Sequence, residues 1–232
     1  MCDQEEGMNW MFGENIMIVV AHPDDEVLGM GGLIKKLTSQ GKKVSVLFLS
    51  DGVSSRTELR QTLEARRKSA VSALGRLGCT DFEFADFPDN KLDTIPMLEI
   101  CKVIEKKFAN FQPNAVFTHF PFDLNIDHQI VSEAVSVASR PKSSSCIQQL
   151  YFFEVLSSTG WKFGSRAFSP SLFIEIENEI ESKVSALQDY YFEMDTYPEA
   201  RSIEAVLALA TLRGASIGKR KSEAFEIGYI RI

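Results

Sequence analysis

VVAHPDDEVLGMGG, residues Val19 to Gly32, decides the reading of this chain. The apolar run IMIVVA ends abruptly in a histidine, a proline and three consecutive acids, and a glycine cluster follows. A buried strand has no packing reason to end in that much like charge. Either the acids sit on an exposed turn or a cation sits among them.

Working outward, strand and helix patterns alternate. After Ile16–Ala21, the segment Glu26–Gln40 carries Val27, Leu28, Leu33, Ile34 and Leu37 at helical spacing and stops at Gly41. Val44–Leu49 reads as a second strand, Thr57–Leu77 as a long helix, Phe82–Phe87 as a third strand and Pro96–Phe108 as a helix. Ala115–His119 is a fourth strand, and Asp127–Ser139 is a helix ended by Arg140-Pro141. Beyond Lys142 the rhythm changes. Gln149–Val155 and Leu172–Ile176 read as extended, Glu179–Phe192 and Glu199–Leu212 as helices, and Phe225–Ile230 as a short closing segment. Strands separated by helices imply right-handed crossovers and a mostly parallel sheet covered on both faces. The expectation is α/β, one Rossmann-like three-layer α/β/α sandwich over 1–232, since no repeat or linker justifies a cut.

In such a sheet, ligands bind where the strands' carboxyl ends meet the following loops. Four stretches land there: His22–Glu26, Ser50-Asp51-Gly52, Ala85–Asn90 and His119–His128. The chain has only three histidines, His22, His119 and His128, and all fall in two of these loops. Imidazole nitrogens with one carboxylate suit zinc or a similar first-row ion, Fe2+ included, whereas calcium or magnesium prefers oxygens. His22 and Asp25, three apart, converge on one point and His128 supplies a third ligand, leaving a position for water as catalytic sites do. Asp24, between two ligands, then turns toward that water as general base. Asp123 and Asp127 are candidates to orient a ligand imidazole, and Asp127 is equally a candidate helix N-cap.

The bulk numbers set the outer limits. The 232 residues, 44% apolar, support one sizeable core. A net charge of −7 argues against a nucleic-acid partner. No apolar run approaches the roughly 20 residues of a membrane span. MCDQEEGMNW lacks a basic n-region, so no signal peptide is expected. Cys2, Cys79, Cys101 and Cys146 form no CxxC pair and read as reduced thiols of a cytoplasmic protein.

Ala21–Glu26 (AHPDDE) with Asn125-Ile-Asp-His128 downstream resembles the LmbE-like (PIG-L) family of zinc-dependent N-acetylglucosaminyl deacetylases. The likeness runs on through Asp51-Gly52, Arg66-Arg67-Lys68 and the tail ARSIEA…RGASIGKRKSEAFE, nearly the whole chain. It implies a Rossmann-like fold, a zinc site and removal of an N-acetyl group from an amino sugar or a nucleotide- or lipid-linked conjugate. By position, His22, Asp25 and His128 match the ligands and Asp24 the base. One departure stands out. Members resembling this chain in the sugar-thiol pathways carry a histidine three residues before the metal-binding histidine, where this chain has Asn125. Asparagine still donates to a developing oxyanion, and His119 is a candidate to share that work.

For substrate contacts, Arg56 and Asp51 follow the second strand, and Arg201 in the tail is a candidate to close the pocket, its other reading being a plain tail residue. Arg56 meets a phosphate, carboxylate or sugar hydroxyl, or is solvated. Arg66 and Arg67 read as helix-surface charges, and Trp161 and Phe163 as packing or as a sugar platform. A dinucleotide-binding domain is the main rival, but Ile34 stands where the third fingerprint glycine belongs and Asp24–Glu26 would repel a pyrophosphate. A weakened member that only binds sugar or metal, and a hydrolase of a different amide, are further alternatives. The composition leaves room for a homo-oligomer.

Overall fold

The computed structural model describes residues 11–55, 62–143 and 145–232. In chain order, β1 (Asn15–Val20), α1 (Asp25–Ser39), β2 (Lys43–Ser50), α2 (Leu63–Leu77), β3 (Asp81–Phe87), α3 (Met97–Phe111), β4 (Ala115–His119), α4 (Ile126–Ala138) and β5 (Gln149–Phe153) keep a strict alternation. Then come β6 (Leu172–Glu175), α5 (Ile180–Asp189), α6 (Ile203–Ala215) and β7 (Ser222–Ile230).

The strands form one sheet in the order β3-β2-β1-β4-β5-β7-β6. The first five run parallel, and β7 pairs antiparallel with both β5 and β6. The segment expected only as a short closing piece at Phe225–Ile230 is thus a nine-residue strand that extends the sheet past β5. Both faces are covered, so strand residues are apolar at consecutive rather than alternate positions. Ile16, Ile18 and Val20 of β1 point into the core shared with α1, α2, α5 and α6. Met17, Val19 and Ala21 point the other way, into the core under α3 and α4.

Chain order reverses between β1 and β4, which lie side by side with Ile16 opposite Ala115. At that switch point the loops after neighbouring strands splay apart and leave a crevice. His22 lies just beyond the end of β1, and His119 is the last residue of β4.

Helix α1 packs close to the sheet because its glycines permit it. A Cβ at Gly29 would stand 2.3 Å from the Phe153 ring. The helix breaks at Met30 (φ −151°, ψ 28°). Glu223 of β7 then accepts from the Gly32 and Leu33 amides (2.9 and 2.7 Å), while Lys183 of α5 donates to the Leu28 carbonyl (2.9 Å) and to Glu223 (2.6 Å). A buried ion pair therefore splints the backbone groups that the break would orphan.

Helix boundaries differ from the sequence expectation where caps act. α6 begins at Ile203 rather than Glu199, because the Ser202 hydroxyl accepts from the Ala205 amide. α2 is described from Leu63, capped by Thr62; the first residues of the expected Thr57–Leu77 helix, through 61, lie outside the described residues.

Two glycines make the packing testable. Gly29→Ala should destabilise by about 1–3 kcal/mol in urea unfolding, since Phe153 has no room to yield. At Gly75 in α2, an added Cβ would meet nothing within 4 Å. Gly75→Ala should stabilise by about 0.5–1 kcal/mol in the same assay.

Candidate metal centre

β1 delivers His22 to the crevice, and a tight turn returns the chain as α1. The His22 amide donates to Asp25 Oδ2 (2.9 Å) and the Asp25 amide to the His22 carbonyl (3.3 Å). The turn places Asp24 at a φ of 130°, a region that non-glycine residues avoid. The Glu26 carboxylate accepts from the Asp24 amide (2.9 Å) and from the Tyr190 hydroxyl (2.6 Å), fixing the strained residue from below. Gly52 at the end of β2 closes the packing: its φ is +68°, and a Cβ there would meet Pro23 at 3.0 Å and Arg66 at 3.2 Å.

The β4–α4 loop brings the remaining groups. Asn125 Oδ1 caps α4, accepting from the Asp127 amide (2.8 Å) and, at 3.4 Å, from the His128 amide. That aims His128 at Asp25, with Nε2 3.3 Å from Asp25 Oδ2. Asp123 Oδ1 sits 3.2 Å from His128 Nδ1, and Ser158 and Thr159 hydroxyls donate to Asp123 Oδ2. On the other ligand, His22 Nε2 is 3.1 Å from Asp127 Oδ2 and 3.2 Å from Asp89 Oδ1, while its Nδ1 is 3.2 Å from Asp25 Oδ2.

These contacts assign the protons. Carboxylates at His128 Nδ1 and His22 Nε2 favour N–H there, which would leave His128 Nε2 and His22 Nδ1 free to bind a cation beside Asp25. One donor atom from each of His22, Asp25 and His128 lies within 4.8 Å of the others. Asp25 Oδ1 and His128 Nε2 are buried without a hydrogen-bond partner. Three acceptor atoms converging in a dry site fit a divalent cation, and borderline nitrogen and oxygen donors suit a first-row ion. His22, Asp89 and Asp127 form a second close grouping, but both Asp127 oxygens already accept, from the Asn90 and Leu92 amides (2.8 and 3.1 Å). That grouping supports His22 rather than holding an ion of its own.

The remaining residues singled out by sequence fall into different places. Asp127 does not cap the helix; Asn125 does. Asn125, expected as an oxyanion donor, has its oxygen committed to that cap, and its Nδ2 donates to Asn90 Oδ1 (3.3 Å). His119 is fully buried and its Nε2 accepts from the Ala21 amide (2.9 Å) while its ring stacks on His128 at 3.9 Å. Burial, with the neighbouring His128, holds its pKa well below the ordinary range. Asp51 is turned into its own loop, accepting from the Val53 and Ser54 amides. Arg56 lies outside the residues whose surroundings are described. Arg201 reaches not outward but inward, its guanidinium 2.5 Å from Asp24 Oδ2.

Arg66 is the plainest correction. It is 1% exposed rather than a surface charge, ion-paired to Glu193 and 3.4 Å from Asp24 Oδ2. Its spacing to Ala70, Ala73, Leu74 and Leu77 puts it on the buried face of α2, a signal the sequence did carry. Asp89 joins the site without having stood out in the sequence, although Pro88-Asp89-Asn90 follows β3 on the expected edge. Trp161 and Phe163 are exposed (53% and 85%) rather than packed, on the loop that supplies Ser158 and Thr159.

Asp25→Ala and His128→Ala should each bring metal per chain to background by elemental analysis, whereas Asp123→Ala should weaken binding by about 10–100-fold in chelator competition. The Glu26 carboxyl is pushed up from 4.5 to about 8 by burial, against the opposing pull of Tyr190 and the Asp24 amide. A carboxyl raised by folding contributes stability below its unfolded pKa, and that contribution is lost as pH climbs through the folded one. Glu26→Gln should therefore flatten the fall in unfolding free energy between pH 4.5 and 8; an unchanged slope would assign it to other groups.

Comparison with known proteins finds relatives in sequence and in fold. The chain is 26% identical over 195 residues to a diacetylchitobiose deacetylase of Thermococcus kodakarensis, a match spanning 76% of this chain and 69% of that one. The structure of an N,N'-diacetylchitobiose deacetylase from Pyrococcus horikoshii superimposes with a TM-score of 0.76 at 22% identity, covering 92% of this chain and 83% of that one. A 4-carboxy-2-hydroxymuconate hydratase from Pseudomonas putida superimposes about as well, with a TM-score of 0.75 at 20% identity over 95% and 98% of the two chains. The fold by itself therefore does not choose the reaction. Residues 17–139 match the family model described as PIG-L, GlcNAc-PI de-N-acetylase, and the chain belongs to that family.

Proposed function

We propose that this chain is a zinc-dependent hydrolase that removes the N-acetyl group of an amino sugar, releasing acetate and the free amine. One observation carries the reading: two imidazole nitrogens and one carboxylate oxygen meet in a buried site, next in sequence to a second buried carboxylate, Asp24. His22, Asp25 and His128 would hold the ion, with Fe2+ or another first-row ion as substitutes. When bound, such an ion supplies a Lewis acid for the amide carbonyl and brings the pKa of its water to about 7.

The protein's own groups do the proton work. Asp24 takes a proton from the attacking water as its oxygen bonds to the carbonyl carbon. The same carboxyl then returns that proton to the amine nitrogen as the C–N bond breaks. Burial raises the Asp24 pKa above the ordinary carboxylate value, while Arg201 and Arg66 oppose that rise. Asp123 and Asp127 (with Asp89) hold the ligand imidazoles in the required tautomers. Asn125 contributes by aiming His128 through the helix cap.

Free N-acetyl amino sugars are candidate substrates given the named activity of the Thermococcus relative, lipid-linked ones given the family's description, and nucleotide-linked ones are a third class to test. Cys79, Cys101 and Cys146 are free thiols, which suits catalysis in the reducing cytoplasm. Among the described residues no helix is long and apolar enough to cross a membrane.

Acetate release by metal-loaded protein, assayed across those three donor classes, tests the reading; no acetate from any of them would refute it. With a donor in hand, Asp24→Asn should retain metal and lose at least about 100-fold in kcat. Full activity in that variant would remove Asp24 from the mechanism.

A further inference from the structure

The Asp24 carboxylate is asymmetric. Its Oδ2 receives one guanidinium at 2.5 Å, from Arg201, and a second at 3.4 Å, from Arg66. Its Oδ1 is buried with no hydrogen-bond partner. The two arginines arrive from distant parts of the chain, Arg66 on α2 and Arg201 just before the Ser202 cap of α6. Both are themselves anchored. Arg66 pairs with Glu193, and Arg201 Nη1 lies 3.8 Å from the other Glu193 oxygen. Arg201 Nε donates to Ser157 Oγ (3.2 Å), and its carbonyl accepts from the Asp195 amide (3.0 Å). Arg66 is sealed, with 2% of its side chain exposed, whereas 26% of the Arg201 side chain remains accessible.

A substrate clamp would present its guanidinium to the ligand. Here the guanidinium atom nearest the site is already committed to an internal carboxylate. We propose that Arg201 is a positioning residue, which pins Oδ2 of Asp24 so that Oδ1 is the oxygen offered to the reacting water. This rests on the deacetylase reading and replaces substrate contact as the role of Arg201. A carboxylate is free to rotate about its last bond unless one oxygen is held. Arg66 alone holds it at 3.4 Å, at the limit of a hydrogen bond; the closer contact is Arg201. The atom balance follows the same division. The O–H bond forms at Oδ1 while Oδ2 stays on Arg201, and the same Oδ1–H bond breaks as the proton passes to the leaving nitrogen.

The distinction is measurable. A positioning role predicts that Arg201→Ala lowers kcat by about 100-fold, the scale of a misplaced catalytic group, with KM changed less than about threefold and metal content unchanged. Because the side chain is reachable from solvent, added guanidinium chloride should restore at least about tenfold of that loss in Arg201→Ala and none in Arg201→Ala/Asp24→Asn. A rise in KM with kcat intact would overturn the proposal in favour of a substrate clamp, and loss of metal would assign Arg201 to the ligand set.

A substrate-free readout keeps the two readings apart. In chemical denaturation, the cost of Arg201→Ala should fall by about half or more in an Asp24→Asn background. Equal costs in the two backgrounds would show that Arg201 does not hold Asp24, whether or not any donor yields acetate. Absence of acetate from wild type together with strong coupling would refute the deacetylase reading and leave the pinned carboxylate standing.

Discussion

Asp25 is the constraint on which the rest depends. It is fully buried, and its Oδ2 lies 3.2, 3.5 and 3.3 Å from ring nitrogens of His22, His119 and His128, every histidine in the chain. An ionised carboxylate in a dry interior carries a heavy desolvation cost unless matched by positive charge and hydrogen bonds. The His22 amide supplies one hydrogen bond and a bound cation would supply the charge, at a place where the fold has few degrees of freedom. β1 and β4 are adjacent, so the segment that leaves one and the last residue of the other are necessarily neighbours. The chain then uses both neighbours, and the helix start after each, to surround one acid.

The same balance explains why the site is wrapped in further acids without collapsing. Asp123, Asp127 and Asp89 do not add repulsion at the centre, because each is aimed at the far nitrogen of an imidazole or at backbone amides. Asp24 is matched separately, by two arginines that also share Glu193. Negative charge is thereby sorted into two compartments: one ringed by imidazoles and answered by a cation when bound, the other answered by guanidinium groups. The join between them is the backbone of Asp24 and Asp25. Glu26, reaching back to the Asp24 amide, keeps that join in its strained conformation.

Much of this was legible in the sequence, for a local reason. Hydrophobic runs bounded by glycine and helix-spaced apolar residues report burial residue by residue, so the strands, the crossover helices and the edge bearing His22, His119 and His128 follow directly. What the sequence hid depends on contacts between distant segments. Nothing near Arg66 announces that Glu193, far along the chain, will neutralise it; only its place on the apolar face of α2 hinted at burial. Asn125 reads as a donor to substrate until Asn90 and the α4 amides are seen to use both ends of its amide. Arg201 reads as a substrate contact until the turn at Asp24 is seen to point Oδ2 at it. The closing strand β7 was underestimated because its polar residues, Ser222, Glu223 and Glu226, are buried by pairing and by ions rather than by apolar character.

X-ray absorption at the zinc edge of the metal-loaded protein tests the central claim most directly. The account predicts one ion per chain, with two imidazoles and oxygen donors at about 2.0–2.1 Å and no sulfur scattering. An ion bound through sulfur, through fewer than two imidazoles, or not held stoichiometrically at all would contradict it.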